Sequence, residues 1–136
     1  MTYPSRASKY REMQVMSATP ARLTVLLIEH LEVVLRRAQT AIRNEQIELR
    51  VSNMARSREI VSELLGTLDL ERGGDIAIDL SMLYGFLLSE LVDAGSRRDA
   101  VRLGRLIGIV NTLSTAFALA AAQLEEEPSP PLAASA

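Results

Sequence analysis

Apolar residues recur at alternating steps of three and four positions through four stretches of the chain. This spacing places side chains on one face of an α-helix, so each stretch predicts a helix with one buried stripe. The stripe positions are Leu23, Leu27, Leu31, Val34, Ala38 and Ile42 in the first helix; Ile47, Val51, Met54, Arg58, Val61, Leu65 and Leu68 in the second; Ile76, Leu80, Leu83, Leu87, Leu91 and Ala94 in the third; and Leu103, Leu106, Val110, Leu113, Phe117, Ala120 and Leu124 in the fourth. Arg58 is the one charged member of these stripes, and we expect it at an edge, where its long stem can reach solvent.

Residues between the stripes carry the signals that start and stop helices. Thr19 followed by Pro20 predicts the start of the first helix, because threonine caps free amide groups and proline fits the first turn. Asn-Glu at 44–45 interrupts the apolar spacing. Gly-Gly at 73–74 is expected to end the second helix, since glycine adopts left-handed conformations cheaply. Within residues 95–99, Gly-Ser is expected to end the third helix, and a capping box that begins at the serine is expected to start the fourth.

Four helices of similar length joined by short links predict an all-α fold, an antiparallel up-down four-helix bundle. The three-four spacing implies shallow crossings near about +20°. We expect three parts: an N-terminal arm at residues 1–18, the bundle at residues 19–127, and a Pro/Ala/Ser tail at residues 128–136. The composition of the tail predicts disorder.

The third and fourth helices carry more apolar residues than one buried stripe requires. Between Leu80 and Val92 the only charge is Glu90, and no charge occurs from Leu106 to Leu124. The residues expected outside the stripes are Met82, Tyr84, Phe86, Leu88 and Val92 in the third helix, Gly108, Asn111, Thr112, Thr115, Ala118 and Ala122 in the fourth, and Val25, Ile28 and Val33 in the first. Contiguous apolar surface usually marks a binding site.

Three arrangements could cover this surface. A partner could place an amphipathic helix or an extended segment in grooves between the helices. Wide stripes could instead fill a thick bundle, with the N-terminal arm covering the remainder. A second copy of the chain is the third arrangement.

The uncharged stretch at residues 106–124 is also long enough to be weighed as a membrane span. Polar residues interrupt it, among them Asn111, Thr112 and Gln123. We therefore interpret it as a core helix with small residues on its back, and we expect no membrane insertion. Residues 1–16 carry charges throughout and lack an apolar run, so no secretory signal peptide is expected.

Composition argues against several kinds of chemistry. The 136 residues include no cysteine, so thiolate chemistry is absent, and His30 is the single histidine. Because Leu27 lies three positions before it, the Glu-x-x-His pattern of di-iron bundles is missing. The net charge of −2 gives no general attraction for nucleic acid. We expect no enzymatic activity, no metal, no cofactor and no nucleic-acid partner.

Four acidic residues surround the Gly-Gly pair, namely Asp69, Glu71, Asp75 and Asp79. A calcium loop would need its fixed twelve-residue register of oxygen ligands, which this segment lacks. We interpret these residues as helix caps and solubilising charges, with Asp75 in a cap or first-turn position of the third helix.

The chain resembles the flagellar export chaperone family (FliS) at several points along its length. The matching pieces are Tyr10, Val15 and Ala18-Thr19-Pro20; Leu23 with Leu26-Leu27; Ala38 and Ala41-Ile42; Glu63-Leu64 and Leu68-Asp69; Gly73-Gly74-Asp75-Ile76-Ala77; and Leu80, Leu83-Tyr84 and Phe86. The chain departs from the family where a Leu-Tyr-Asp-Gly-like element reads Leu-Ile-Glu-His at residues 27–30. Phe117 takes the place of a tryptophan that is common late in the fourth helix.

The resemblance implies a cytoplasmic, non-enzymatic chaperone that binds the disordered C-terminal region of flagellin. Such a protein prevents premature polymerisation and supports flagellar type III secretion, and its N-terminal arm covers apolar surface until the client arrives. The residues expected to contact the client are Tyr10, Leu23, Tyr84, Phe86, Gly108, Thr112 and Thr115. Other flagellar export or regulatory proteins and a weak homodimer stay open as further partners. The alternatives are a homodimeric structural or adaptor bundle without a flagellin client and, more distantly, an enzyme with a site in the bundle core.

Overall fold

Four antiparallel helices form the part of the chain that the structure, a computed structural model, describes, which is residues 19–126. Helix α1 spans Pro20–Arg43, α2 spans Ile47–Gly66, α3 spans Gly74–Arg97 and α4 spans Ala100–Glu126. Helix α1 packs along both α2 and α4, and α3 completes the ring against the same two helices. The predicted up-down bundle is confirmed. The proposed arm and tail, and Glu127 at the end of the proposed bundle, lie outside the described residues.

The start of α1 follows the prediction. Thr19 adopts an extended conformation, and its hydroxyl oxygen accepts a hydrogen bond from the amide of Arg22 at 3.2 Å. Pro20 is the first helical residue, where its missing N–H costs nothing. The break at residues 44–45 is also confirmed, with Glu45 in a left-handed conformation at φ 54°.

The Gly-Gly pair starts α3 instead of ending α2, which corrects the prediction. Helix α2 already ends at Gly66, and a carboxylate oxygen of Asp69 accepts hydrogen bonds from the amides of Glu71 and Arg72 in the intervening turn. Gly73 lies at the N-cap of α3, where a Cβ atom would lie 2.5 Å from that of Ala77, and Gly74 has a φ of 57°. Glycine is therefore required sterically at one position and conformationally at the next.

The link between α3 and α4 lies two to three residues later in the chain than the sequence suggested. Helix α3 continues through Ser96 to Arg97, and Arg98 ends it in a left-handed conformation. Asp99 caps α4, because its carboxylate accepts a hydrogen bond from the amide of Arg102 at 3.0 Å. The prediction of a capping box that begins at Ser96 is wrong, since an acid three residues later takes the capping role.

The core lies where the four helices face one another, and α1 contributes most to it. The buried residues of α1 are Val25, Ile28, Leu31, Val34, Leu35, Ala38 and Ala41. Val25 and Ile28 were predicted outside the stripe and are fully buried, because α1 packs closely on two neighbours and buries a wider face than one stripe. Val33, by contrast, is exposed as predicted.

The buried faces of α2 and α4 are rotated from the predicted stripes. In α2 the buried residues are Met54, Ser57, Ile60, Val61 and Leu64. At 3.6 residues per turn, the face that they form is rotated by roughly 60° around the helix axis from the predicted stripe. Ile47 and Val51 of that stripe are exposed. Ser57 hid the rotation, because it is polar by type; its hydroxyl donates to the carbonyl of Met54 at 2.7 Å and is thereby satisfied in the core. In α4 the buried residues are Leu103, Leu106, Ile107, Val110 and Ala121, while Ala120 and Leu124 are exposed.

Candidate binding surface

The outward side of α3 carries an uncharged line of residues with regular helical spacing. Its members are Ile78, Met82, Gly85, Ser89 and Val92, and we call this line the α3 outer stripe. Every member is exposed, and Met82 reaches 69% exposure. The opposite side of the same helix holds the buried residues Ala77, Tyr84, Leu87, Leu91 and Ala94. Helix α3 is therefore apolar on two faces, only one of which the bundle covers.

A second outward line runs along α4. The α4 outer stripe consists of the exposed residues Val101, Arg105, Gly108, Thr112, Thr115 and Leu119, at the same alternating spacing. The hydroxyl of Thr112 donates to the carbonyl of Gly108 at 3.1 Å, and that of Thr115 donates to the carbonyl of Asn111 at 3.2 Å. Because these hydroxyls are satisfied within their own helix, the stripe can be covered without leaving them unpaired.

The contact between α3 and α4 lies between the two stripes. Arg102 of α4 donates a hydrogen bond to Glu90 of α3. In a pair of antiparallel helices, the residue numbers of two facing positions add up to a nearly constant value. Leu83 is therefore expected to face Ile109, and positions of α3 and α4 farther from the turn are expected to face each other in the same register. The half-buried apolar residues of these two helices that pack against the core are Leu80, Leu88, Ile109, Leu113 and Phe117. Helices α3 and α4 pack on each other less extensively than any other neighbouring pair, which leaves such residues accessible.

An ion network joins α3 and α4 near the turn between them. The guanidinium of Arg102 donates to the carboxylates of Glu90, at 2.6 Å, and of Asp93, and Arg97 also donates to Asp93 at 3.1 Å. The hydrogen bond from Arg102 holds the pKa of the Glu90 carboxyl below its ordinary value. Hydrogen bonds from Arg97 and Arg102 do the same for the pKa of Asp93. This network fixes the relative position of the two helices that carry the stripes.

The residues predicted to contact a client fall in three environments. Phe86, Gly108, Thr112 and Thr115 are exposed, and the last three share the α4 outer stripe. Leu23 is half-buried near the start of α1. Tyr10 lies outside the described residues.

Tyr84 is the exception, because it is fully buried in the core. Its placement outside the main stripe of α3 is wrong: the buried face runs through Ala77 and Tyr84, while Ile76 is 73% exposed. The hydroxyl of Tyr84 has no hydrogen-bond partner among the described residues, and burial raises the pKa of that hydroxyl. Contact between Tyr84 and a client would require the core to open.

Sequence reasoning missed part of the exposed apolar surface. Ile78, Val101 and Leu119 belong to the outer stripes but were not singled out. The signal was present, because positions 78, 82, 85, 89 and 92 repeat the same alternating steps as a buried stripe. A helix with two such lines predicts a second covered face.

The described residues contain no candidate metal-binding site. Within residues 19–126, no group of three or more histidine, cysteine or acidic residues could hold a metal ion. Asp69 serves the turn before α3 and Asp75 lies in its first turn, which agrees with the predicted capping roles. Helix α4 alone among the described helices passes a length and hydropathy test for a membrane span, a test that core helices also pass.

This chain is similar to several flagellar secretion chaperones. The family described as flagellar protein FliS matches residues 3–124. The flagellar secretion chaperone FliS of Campylobacter jejuni is 35% identical over 108 residues, which cover 79% of this chain and 84% of that protein. The flagellar secretion chaperone FliS of Salmonella typhimurium is 29% identical over 107 residues, covering 78% and 79%, and that of Bacillus subtilis is 28% identical over 108 residues, covering 79% and 80%. The match spans nearly all of the described bundle, and the chain belongs to the FliS family of flagellar proteins.

Proposed function

We propose that this protein is a cytoplasmic export chaperone that binds the C-terminal region of flagellin. It holds that region in a form that cannot polymerise and keeps it competent for flagellar type III secretion. The observation that carries the proposal is the pair of exposed outer stripes on α3 and α4, in which Arg105 is the one charged residue, in a member of the FliS family. The names of the relatives, flagellar secretion chaperones, support the same role.

The physical character of the surface suits a disordered client. A segment that folds on binding loses conformational entropy, so it needs wide apolar contact to compensate. The two stripes and the half-buried apolar residues of α3 and α4 supply such contact over helices about 36 to 40 Å long at 1.5 Å per residue. Helical spacing along both stripes matches the i, i+3, i+4, i+7 anchors of an amphipathic client helix.

Chaperoning of this kind needs no catalytic group. The surface offers shape and apolar area, and the polar groups of Thr112 and Thr115 are already satisfied by their own helix. Release can then be driven by the secretion machinery instead of by a nucleotide bound to this chain. We accordingly propose a non-enzymatic role.

Calorimetry with a synthetic peptide of the flagellin C-terminal region tests the proposal. Binding should have a negative heat-capacity change, because apolar surface leaves water. A peptide with the same composition in scrambled order is the control. No heat of binding at tens of micromolar, or equal binding of the scrambled peptide, would contradict the function.

A homodimeric adaptor bundle is the competing function, and the exposed small residues Gly85 and Gly108 favour it, since they let another helix approach closely. It predicts a dimer that persists at nanomolar concentration and ignores flagellin. Sedimentation with and without the flagellin peptide separates the two functions.

A further inference from the structure

A cavity lies at the end of the bundle where the α1–α2 and α3–α4 turns meet, away from the middle of the outer stripes. Its volume of about 480 Å³ falls within the range typical of ligand pockets. We call it the turn-end cavity, and it is lined by Ala41, Ile42, Glu45, Gln46, Ile47, Arg50 and Arg98.

The cavity combines an apolar side with two cationic groups. Ala41, Ile42 and Ile47 supply the apolar side. Ile47 is 63% exposed, so its side chain is available to a ligand. Arg50 and Arg98 form no ion pair within the described residues. An arginine without a partner in a pocket is suited to bidentate recognition of a carboxylate.

Both turns place charged residues at positions that favour glycine. Glu45 and Arg98 are the only non-glycine residues with positive φ among the described residues, and both line this cavity. Glycine would end α1 and α3 without strain, whereas the side chains present there project charge at the cavity. Glu45 leaves the lining with a net charge of +1, which suits a single carboxylate better than a doubly charged phosphate.

Segments of this chain outside the structure do not suit the cavity. The ten residues that follow Glu126 span at most about 36 Å when extended. Helix α4 is about 40 Å long, and the cavity lies beyond its first residue. Residues 1–18 carry Arg6, Lys9 and Arg11 against a single acid, so their charge has the wrong sign.

We propose that the turn-end cavity binds a peptide segment of a partner protein in which a carboxylate lies beside an aliphatic side chain. The carboxylate pairs with Arg50 and Arg98, and the aliphatic side chain packs on Ala41, Ile42 and Ile47. Because the cavity lies at the turn end, this site can be occupied while a client covers the outer stripes. The proposal does not depend on flagellin binding.

Backbone NMR with a capped Ala-Leu-Glu-Leu-Ala peptide tests this site, with the analogue that carries Gln in place of Glu as the matched ligand. We expect saturable shifts at the amides of Gln46 and Ile47 that weaken as salt is added. Arg50→Gln and Arg98→Asn should each weaken binding roughly ten-fold, since each removes a charge-assisted pair. Asparagine is chosen at position 98 because it tolerates the left-handed conformation.

Arg22→Gln is the control variant, because Arg22 is exposed near the start of α1, forms no ion pair within the described residues and does not line the cavity. It should bind the peptide as the unaltered protein does, and circular dichroism should show all three variants folded. The proposal is overturned if no saturable shift occurs, if the Gln peptide or inorganic phosphate binds equally well, or if Arg22→Gln causes the same loss. Head-to-tail self-association that Arg98→Asn abolishes would also overturn it, by showing that a second copy is the occupant.

Discussion

At the scale of single residues, Gly108 separates binding from folding more cleanly than any other position on the α4 outer stripe. It is exposed, and a Cβ atom added there would meet nothing within 4 Å. A large side chain at Gly108 therefore disturbs only what lies outside the bundle.

We predict that Gly108→Arg weakens binding of the flagellin peptide at least about ten-fold, since it puts a charge into an apolar contact. The free energy of unfolding should stay the same or rise by up to about 1 kcal/mol, because arginine favours helix more than glycine does. Calorimetry measures the first effect and urea denaturation the second. Ser52→Arg on the exposed face of α2 is the control, and it should leave binding unchanged. Equal losses of binding and stability in Gly108→Arg would show that Gly108 belongs to the folded core.

Tyr84 combines a well-buried aromatic ring with an unpaired polar group. Its ring is buried in the core, yet its hydroxyl has no hydrogen-bond partner among the described residues. Leaving a buried polar group unpaired costs about 1–3 kcal/mol. The hydroxyl is thus a destabilising group that the apolar area of the ring outweighs.

Tyr84→Phe should therefore leave the free energy of unfolding unchanged or raise it by about 1 kcal/mol at neutral pH, because it removes the unpaired hydroxyl. The pKa of Tyr84 is raised by burial from an ordinary value of 10.0, so the unfolded chain loses this proton before the folded protein does. Stability should fall as the pH rises above that ordinary value, and Tyr84→Phe should fall less steeply. Urea denaturation across this range measures both effects. A marked loss of stability in Tyr84→Phe would show that the hydroxyl has a partner in the native protein.

At the scale of helices, the ion network around Arg102 joins α3 to α4, the pair that packs least extensively. Arg102 bonds both Glu90 and Asp93, and its side chain is about one quarter exposed. Because these groups are partly screened by solvent, the network acts chiefly to set the spacing of the two helices.

We predict that Arg102→Gln lowers the free energy of unfolding at neutral pH. The folded pKa values of Glu90 and Asp93 are lowered, so their contribution is present above the pKa values of the unfolded chain and is lost as the pH falls through the folded values. The difference between Arg102→Gln and the unaltered protein should therefore shrink in acid, as measured by urea denaturation at neutral and acidic pH. Arg36→Gln, which removes an exposed pair with Glu32 within α1, should change stability little at either pH. A difference that is independent of pH would mean that Arg102 acts through packing alone.

Sequence periodicity predicted the helices well and their orientation less well. The four helices, the antiparallel order and the cap at Thr19 follow from local signals. The buried faces of α2, α3 and α4 do not, because residue type alone cannot tell that Ser57 is satisfied in the core or that Ile76 is left exposed at the start of α3. Rotation of a helix depends on what packs against it, and that information is spread over the other three helices.

The candidate surface was predictable to a similar degree. Its three members on α4, Gly108, Thr112 and Thr115, share one exposed stripe. The larger apolar residues of this uncharged segment face the core, so the small residues between them face outward. Tyr84 was assigned to the surface because it lies outside the predicted stripe of α3. The ring of Tyr84 instead fills part of the core, because packing against the other helices decides which face of α3 is buried.

At the scale of the whole molecule, the uncovered surface makes self-association and client binding competitors. The two outer stripes could be buried by a second copy or by a client, but the same residues cannot contact both. Scattered exposed apolar residues are normal, whereas two continuous stripes on neighbouring helices are costly to leave in water. The free protein is therefore expected to associate weakly, and the client should replace that contact.

Sedimentation velocity tests this competition over a range of micromolar concentrations. The free protein should show reversible, concentration-dependent association, and saturating flagellin peptide should convert it to a complex that contains one copy of each chain. Met82→Lys combined with Leu119→Lys places a charge on each stripe, so it should weaken both self-association and peptide binding. Ser52→Lys combined with Ser62→Lys, on the exposed face of α2, is the matched control and should alter neither. A dimer that persists with the peptide bound would show that the copies meet elsewhere on the bundle, and the outer stripes would then belong to the client alone.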